Sequence, residues 1–306
     1  MLRKYKQEFL EGKTNKWQYI EKMYEDHKLL FEYSEFISGT NISKIEVSDN
    51  KVIMTFRDSG VKMQINKNDS RLVPLEALNF GSYENEELQM QLKLIQPNDI
   101  VFDIGANYGW FSLHVAKKYI TSKIYSFEPI AFTYRCLSEN IKLNSFNNII
   151  PNEFGLSDKE GIFNFYYDES SSGNASMENV ADKKNIRVLK CKVDVLDHFV
   201  SQKHISVNYI KCDIEGAELF ALKGGMNTIK EHSPILFVEM LRKWSAKFNY
   251  HPNEIIQLLS SLNYSCFMLK NNKLQTISAI TDETIATNFF FLHKEKHALQ
   301  IQNYSK

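Results

Sequence analysis

A chain of 306 residues with 37 basic and 37 acidic side chains has no formal net charge, so overall electrostatics give no support to a nucleic-acid or other polyanion-binding role. At this length a fold buries roughly 75% of its unfolded surface and needs no disulfide or metal staple. The four cysteines (Cys136, Cys191, Cys212 and Cys266) lack CxxC pairing and zinc-like spacing. With no signal-peptide pattern and no apolar run near the roughly 18 residues of a membrane span, a reducing cytoplasm is the expected address.

Residues 1–38 are rich in Lys, Glu and aromatics, and Phe9, Trp17, Ile20, Met23, Tyr24, Leu30 and Phe31 recur with rough helical spacing. This predicts one or two amphipathic helices that pack on the main domain or meet a partner chain. Packing on the same chain is the plainer expectation. Three short runs within 42–66, separated by Asp49-Asn50 and Asp58-Ser59-Gly60, alternate and turn like a small antiparallel meander. Glu84 to Leu94 regains the helical period, and Pro97-Asn98-Asp99 breaks it. The chain therefore divides into an extension over 1–79, a main domain over 80–296 and a tail over 297–306.

Beyond residue 100, strand-like runs (100–104, 123–127, 148–153, 207–212, 234–238) alternate with helical segments near 108–118, 132–144, 217–231 and 253–263. Such alternation predicts βαβ units, and hence a doubly wound, mostly parallel sheet covered on both faces. A hairpin of 162–167 with 187–193, joined by the polar loop 168–185, is inserted. Tyr264–Leu269, an Asn271-Asn272 turn and Ala286–His293 predict a last strand antiparallel to its neighbour. The lysine clusters Lys183-Lys184 and Lys270 to Lys273 read as solvated surface.

The stretch Val101-Phe-Asp103-Ile-Gly105-Ala-Asn107-Tyr-Gly109-Trp-Phe111 is a buried strand, a glycine turn and the start of a helix. Backbone N–H groups and the positive end of a helix dipole meet there, which suits a nucleotide. Glu128 lies 19 residues past Gly109, near the offset at which an acid meets a ribose, and Pro129 ends its strand on the ligand edge of the sheet. The glycines are spaced Gly-xxx-Gly rather than GxGxxG, and Asp103 stands where a pyrophosphate would be repelled. An acid at that point suits a ligand carrying an ammonium and a sulfonium. S-adenosylmethionine is favoured over a nicotinamide dinucleotide.

Several motifs, in order, resemble the FkbM family of class I methyltransferases. They are 101–113, Phe127-Glu128-Pro129 with Leu137-x-x-Asn140-x-x-x-Asn144, and Gly155-Leu-Ser-Asp158-x-x-Gly161. Ile210 to Glu218 with Leu222-x-Gly224, and Pro234 to Glu239, complete the series. Gly81-Ser82-Tyr83-Glu84, ahead of the first strand, resembles the family's lead-in segment. The resemblance covers roughly 80–270 and implies a seven-stranded sheet with the last strand antiparallel. It also implies methyl transfer to an oxygen, commonly a sugar hydroxyl. By the same resemblance Asp103, Gly105, Ala106, Asn107 and Gly109 would hold the methionine part of the cofactor. Glu128 and Pro129 would meet the ribose, Glu84 would join the cofactor site, and Phe154, Gly155 or Leu156 would lie against adenine.

A sugar hydroxyl must lose its proton to become a nucleophile, to a general base or with the help of a metal. Asp213 and Glu215 at the end of one central strand, and Glu239 at the end of the next, form a candidate catalytic group. Asp213 also belongs to the expected cofactor set. Either one carboxylate serves as base while another orients the sugar, or the three hold a divalent ion of the magnesium or calcium type; no metal is assigned. Glu218 is expected to cap the following helix. His251 is a further catalytic candidate, whereas His198, His204 and His232 read as surface. Arg242 and Trp244 could pack a sugar face, and loop 170–176 is a candidate lid. Competing readings keep the cofactor but change the acceptor to a lipid, polyketide or nitrogen, or make the chain a cofactor-binding interaction module.

Overall fold

The computed structural model describes residues 1–182 and 186–305; the Lys183-Lys184 pair and the end of the polar loop lie outside the described residues. Three helices come first, α1 (Leu2–Leu10), α2 (Lys16–His27) and α3 (Leu29–Phe36). They pack on one another, as in the stacked rings of Phe9 and Tyr19, 4.7 Å apart. No residue of the three is fully buried and Trp17 remains 73% exposed, while Leu30, Tyr33 and Ser34 of α3 share the wall of a cavity with Ile45, Met54 and Leu75.

The meander comes next as β1 (Ile42–Ser48), β2 (Lys51–Phe56) and β3 (Lys62–Gln64), a three-stranded antiparallel sheet. Its free edge is closed by side chains from a helix far along the chain. The backbone N–H of Gln64 donates to Asn140 Oδ1 and that of Lys62 to Asn144 Oδ1, each at 2.9 Å. Asn144 Nδ2 returns a bond to the Lys62 carbonyl at 2.7 Å. Met54, Phe56, Val61 and Met63 enter the same apolar core as Val101 and Leu113, so the small sheet and the α/β part form one packed body.

After α4 (Val73–Phe80) and α5 (Asn85–Leu94) the alternating part begins. It runs β4 (Ile100–Ile104), α6 (Trp110–Lys118), β5 (Lys123–Phe127), α7 (Ala131–Leu143) and β6 (Ile149–Asn152). The inserted β7 (Gly155–Ser157), β8 (Gly161–Tyr167) and β9 (Arg187–Val195) form a second small sheet, with Phe163 opposite Cys191 as the hairpin pattern predicts. Next come α8 (Leu196–Lys203), β10 (Tyr209–Cys212), α9 (Glu218–Lys223), α10 (Met226–His232) and β11 (Ile235–Glu239). The chain closes with α11 (Arg242–Ser245), α12 (Asn253–Ser260), β12 (Tyr264–Lys270), β13 (Lys273–Ile277), β14 (Asn288–His293) and α13 (Ala298–Tyr304).

The main sheet runs β13-β12-β14-β11-β10-β4-β5-β6, parallel from β11 to β6, with β14 antiparallel to both its neighbours. Period-two alternation sorts the central strands onto two cores. Phe102, Ile104, Ile210, Cys212, Leu236 and Val238 face one core, and Val101, Tyr209, Ile235 and Phe237 the other. The seven expected strands are joined by an eighth, β13, paired with β12 across Asn271 and Asn272, whose φ values of 52° and 58° make a tight hairpin. The single helix expected over 217–231 is two. A side chain at Gly224 would come within 2.1 Å of the Ser157 carbonyl, and α10 restarts where Asp197 accepts the N–H groups of Asn227 and Thr228.

Candidate active site

The cleft opens at the carboxyl ends of β4, β5, β10 and β11, where an open α/β sheet binds its ligands. Gly105 turns the chain out of β4 with φ 82°, and a Cβ on it would lie 1.9 Å from the carbonyl oxygen of Asp213. Its N–H and that of Ala106 both donate to the Phe127 carbonyl, at 3.1 and 3.0 Å. The turn is thus fixed to the neighbouring strands on both sides. Gly109, at φ 91°, starts α6.

Glu128 is buried, and its two carboxylate oxygens accept the N–H groups of Asn107 (3.0 Å) and Ile130 (2.9 Å). Burial pushes it up to about 7, and the backbone donors pull the other way. Asp103 is fully buried: Oδ2 accepts the Ser112 hydroxyl at 2.6 Å, and Oδ1 lies 3.7 Å from Lys211 Nζ with no hydrogen bond of its own. Lys211 stands directly opposite Asp103 in the β4–β10 register and donates to Asp213 Oδ2 at 2.9 Å. Burial pulls its ammonium down, but Asp213 and Asp103 more than offset this and hold it above the usual lysine range.

Three carboxylates converge as the strand ends predict. One oxygen each of Asp213, Glu215 and Glu239 lies within 4.8 Å of the others. Glu239 is the last residue of β11, beside the end of β10, and Glu215 swings back at φ 59°, a left-handed conformation that costs a non-glycine residue energy. Burial first, then the charge of Asp213, pushes Glu215 and Glu239 well above the carboxylate range. Glu84, hydrogen-bonded by Asn288 Nδ2 at 3.3 Å, is raised to about 7 by burial and then Asp213.

Glu84, Asp103, Gly105, Ala106, Asn107, Glu128, Pro129, Asp213, Glu215 and Glu239 all line the cleft. Other expected site residues lie elsewhere. Phe154, in the bend between β6 and β7, packs its ring on Phe127 and Phe199 at the edge of a core cluster. Gly155 pairs with Val193, packed under Pro129 and Phe165, and Phe165 rather than Phe154 reaches the cleft. His251 is exposed at the start of α12, where its Nδ1 accepts the Asn253 N–H at 3.2 Å. Arg242 pairs with Asp282 instead of facing the cleft. Glu218 begins α9 but does not cap its N–H groups; its Oε1 instead accepts those of Ile214 and Gly216 in the preceding loop, both at 3.0 Å.

The loop 170–176 lies against the cleft, with Ser172, Gly173 and Ala175 in its wall. The Ser176 hydroxyl donates to the Glu215 carbonyl at 2.8 Å, and the Ser172 N–H to Asp69 at 3.1 Å. Lys211, Tyr83, Trp110 and Arg71 also line the cleft without having been singled out from the sequence. For Lys211 a signal existed: a lone cation inside an otherwise apolar central strand.

A parallel run closed by an antiparallel strand, with a glycine turn and acid-walled cleft at the ends of its central strands, defines a class I, Rossmann-like methyltransferase. The family described as "Methyltransferase FkbM domain" matches residues 103–266, more than half of the chain. The chain belongs to this FkbM family of S-adenosylmethionine-dependent methyltransferases, and it is an enzyme.

Among its relatives, the methyltransferase sdnD of Sordaria araneosa is 30% identical over 156 residues, 42% of this chain and 60% of that protein. The hexuronic acid methyltransferase AglP of Haloferax volcanii is 24% identical over 191 residues, 62% of this chain and 73% of that protein. The crystal structure of a methyltransferase FkbM from Methylobacillus flagellatus KT is 16% identical with a TM-score of 0.42, covering 65% of this chain and 45% of that one.

Proposed function

We propose that this methyltransferase acts on a sugar hydroxyl of a glycan, polysaccharide precursor or glycosylated metabolite, in the cytoplasm. The observation that carries the site assignment is the charge of the cleft: six carboxyl groups line it, and Lys211 lies among them. Such a wall favours a cationic ligand and disfavours a pyrophosphate. The donor set fits the cofactor. Asp103 Oδ1 is buried without a hydrogen bond, beside the turn in which Gly105 packs against the Asp213 carbonyl.

S-adenosylmethionine, when bound, supplies an electrophilic methyl on a sulfonium. Asp103, Gly105, Ala106, Asn107 and Gly109 would surround its amino-acid end, with Glu84 nearby, and Glu128 and Pro129 its ribose. Asp213, Glu215 and Glu239 sit where an acceptor hydroxyl must surrender its proton. Burial has raised the proton affinity of the last two, which suits them to receive it. A relative named for hexuronic acid methylation supports a sugar acceptor. The exposed apolar side chains of α1–α3, Trp17 and Phe31 among them, support a role for that segment in meeting a second copy or a glycan-assembly partner.

Calorimetry with S-adenosylmethionine tests the site: micromolar binding that weakens at least tenfold in Glu128→Gln supports it, and full affinity in that variant refutes the ribose assignment. Methyl-label transfer to nucleotide sugars and short oligosaccharides, run beside lipid, polyketide and amine acceptors, tests the acceptor. Label found only on a non-sugar acceptor overturns the sugar reading.

A further inference from the structure

The trio at the ends of β10 and β11 contains more negative charge than its neighbours satisfy. Glu215 Oε2 and Glu239 Oε2 are buried and have no hydrogen-bond partner. An oxygen of Asp213 and one of Glu239 lie within 4.8 Å of each other, so two charged carboxylates there call for a proton or a cation between them. Lys211 takes Asp213 Oδ2 and lies on the Asp103 side, so it does not serve the two orphaned oxygens.

Geometry decides what kind of cation. One oxygen from each of the three side chains falls within 4.8 Å of the others. Hard divalent ions hold oxygen at roughly 2.0–2.6 Å, so oxygens on opposite sides of one ion stand about 4–5 Å apart. The ligand set is all oxygen, without sulfur or imidazole, which selects magnesium, manganese or calcium over zinc. The trio also faces the open cleft, so an ion there keeps coordination positions for water or an acceptor hydroxyl.

We infer that Asp213, Glu215 and Glu239 form a binding site for one hard divalent cation at the acceptor end of the cleft. The inference rests on the placement of the acceptor in this cleft and deepens it. Such an ion would bind the acceptor oxygen and make its proton easier to lose.

The test uses the full chain after chelator treatment. MgCl2, MnCl2 and CaCl2 are titrated by calorimetry without S-adenosylmethionine, and the affinity for that cofactor is measured in a separate titration. One saturable site for at least one of the ions is expected, weakened tenfold or more in Glu215→Gln and in Glu239→Gln, with cofactor affinity in Glu215→Gln within about threefold of the unmutated chain. A crystal soaked with manganese should show its anomalous signal within bonding distance of all three carboxylates, which decides the matter even if a variant fails to fold. No saturable site up to millimolar concentration, or manganese bound elsewhere, overturns the inference and leaves a shared proton as the occupant. Cofactor binding with no ion binding sinks this inference alone, whereas ion binding with no cofactor binding sinks the cofactor assignment and leaves the ion site standing.

Discussion

Gly105 is the residue whose identity the site tolerates least. Its backbone is left-handed, and a Cβ there would fall 1.9 Å from the carbonyl oxygen of Asp213. Gly105→Ala should lower stability by more than about 2 kcal/mol through the clash and the strained φ. It should abolish cofactor binding in any molecules that fold. Gly173→Ala in the cleft-side loop, with open space around it, should leave urea denaturation within about 0.5 kcal/mol.

His114 makes a second residue-scale prediction. It is buried between Trp110 and Phe56, its Nδ1–H donates to the Trp110 carbonyl at 2.7 Å, and burial pulls it down to about 4. A base with its folded pKa depressed contributes stability that is complete above its unfolded value of 6.5 and is lost as pH falls toward 4. Between pH 7 and pH 5 the unmutated chain should therefore lose on the order of 2 kcal/mol more than His114→Gln. Urea melts at the two pH values measure the difference, and parallel losses would show that His114 titrates normally. Lys211 shows what sequence withholds at this scale. A lysine among apolar residues is visible, but its partner is set by the register between β4 and β10.

At the scale of elements, the Asn140 and Asn144 clamp makes the clearest claim. Asn140 on α7 and Asn144 just past its end stand one turn apart and take the place of a fourth strand for the meander. Asn144→Ala frees one donor and one acceptor on β3 and should cost about 1–3 kcal/mol. Amide exchange in 52–64 should accelerate with it, and uniform protection there would show that the clamp is dispensable. The asparagines were legible as a motif and opaque as a device, because nothing local says that a helix is hydrogen-bonded to a strand some 76 residues earlier.

Other elements divide the same way. β4, β5 and β11 were legible because short, mostly apolar runs bounded by turn residues leave few alternatives. β13 was not, since only Leu274 of its five residues is buried and its pairing depends on a two-residue asparagine turn. Phe154 was placed against the ligand because it follows a strand end, but the bend between β6 and β7 turns its ring onto Phe127 and Phe199. His251 looked close to the site by chain position, whereas the docking of α12 carries it to an exposed helix start.

On the scale of the whole molecule, two apolar cores sandwich one sheet, and the meander belongs to one of them. The first 36 residues belong to neither. Removal of residues 1–36 should therefore shift the melting temperature by no more than a few degrees and leave cofactor affinity unchanged. A collapse of either would show that the three helices brace the domain. The same deletion should leave the Arg57 bonds to the Ile37, Thr40 and Ile42 carbonyls in place, so the new terminus begins on an anchored segment.

The hook that holds β3 grips only its main chain, while Met63 from the same strand forms part of the cleft wall. Peptide groups are common to every residue except proline at the donor, so the grip is indifferent to what the strand displays. Lys62 and Gln64 can accordingly be exchanged without unfastening the strand, whereas Met63, buried behind the cleft wall, ties the shape of the cleft to the packing of the core.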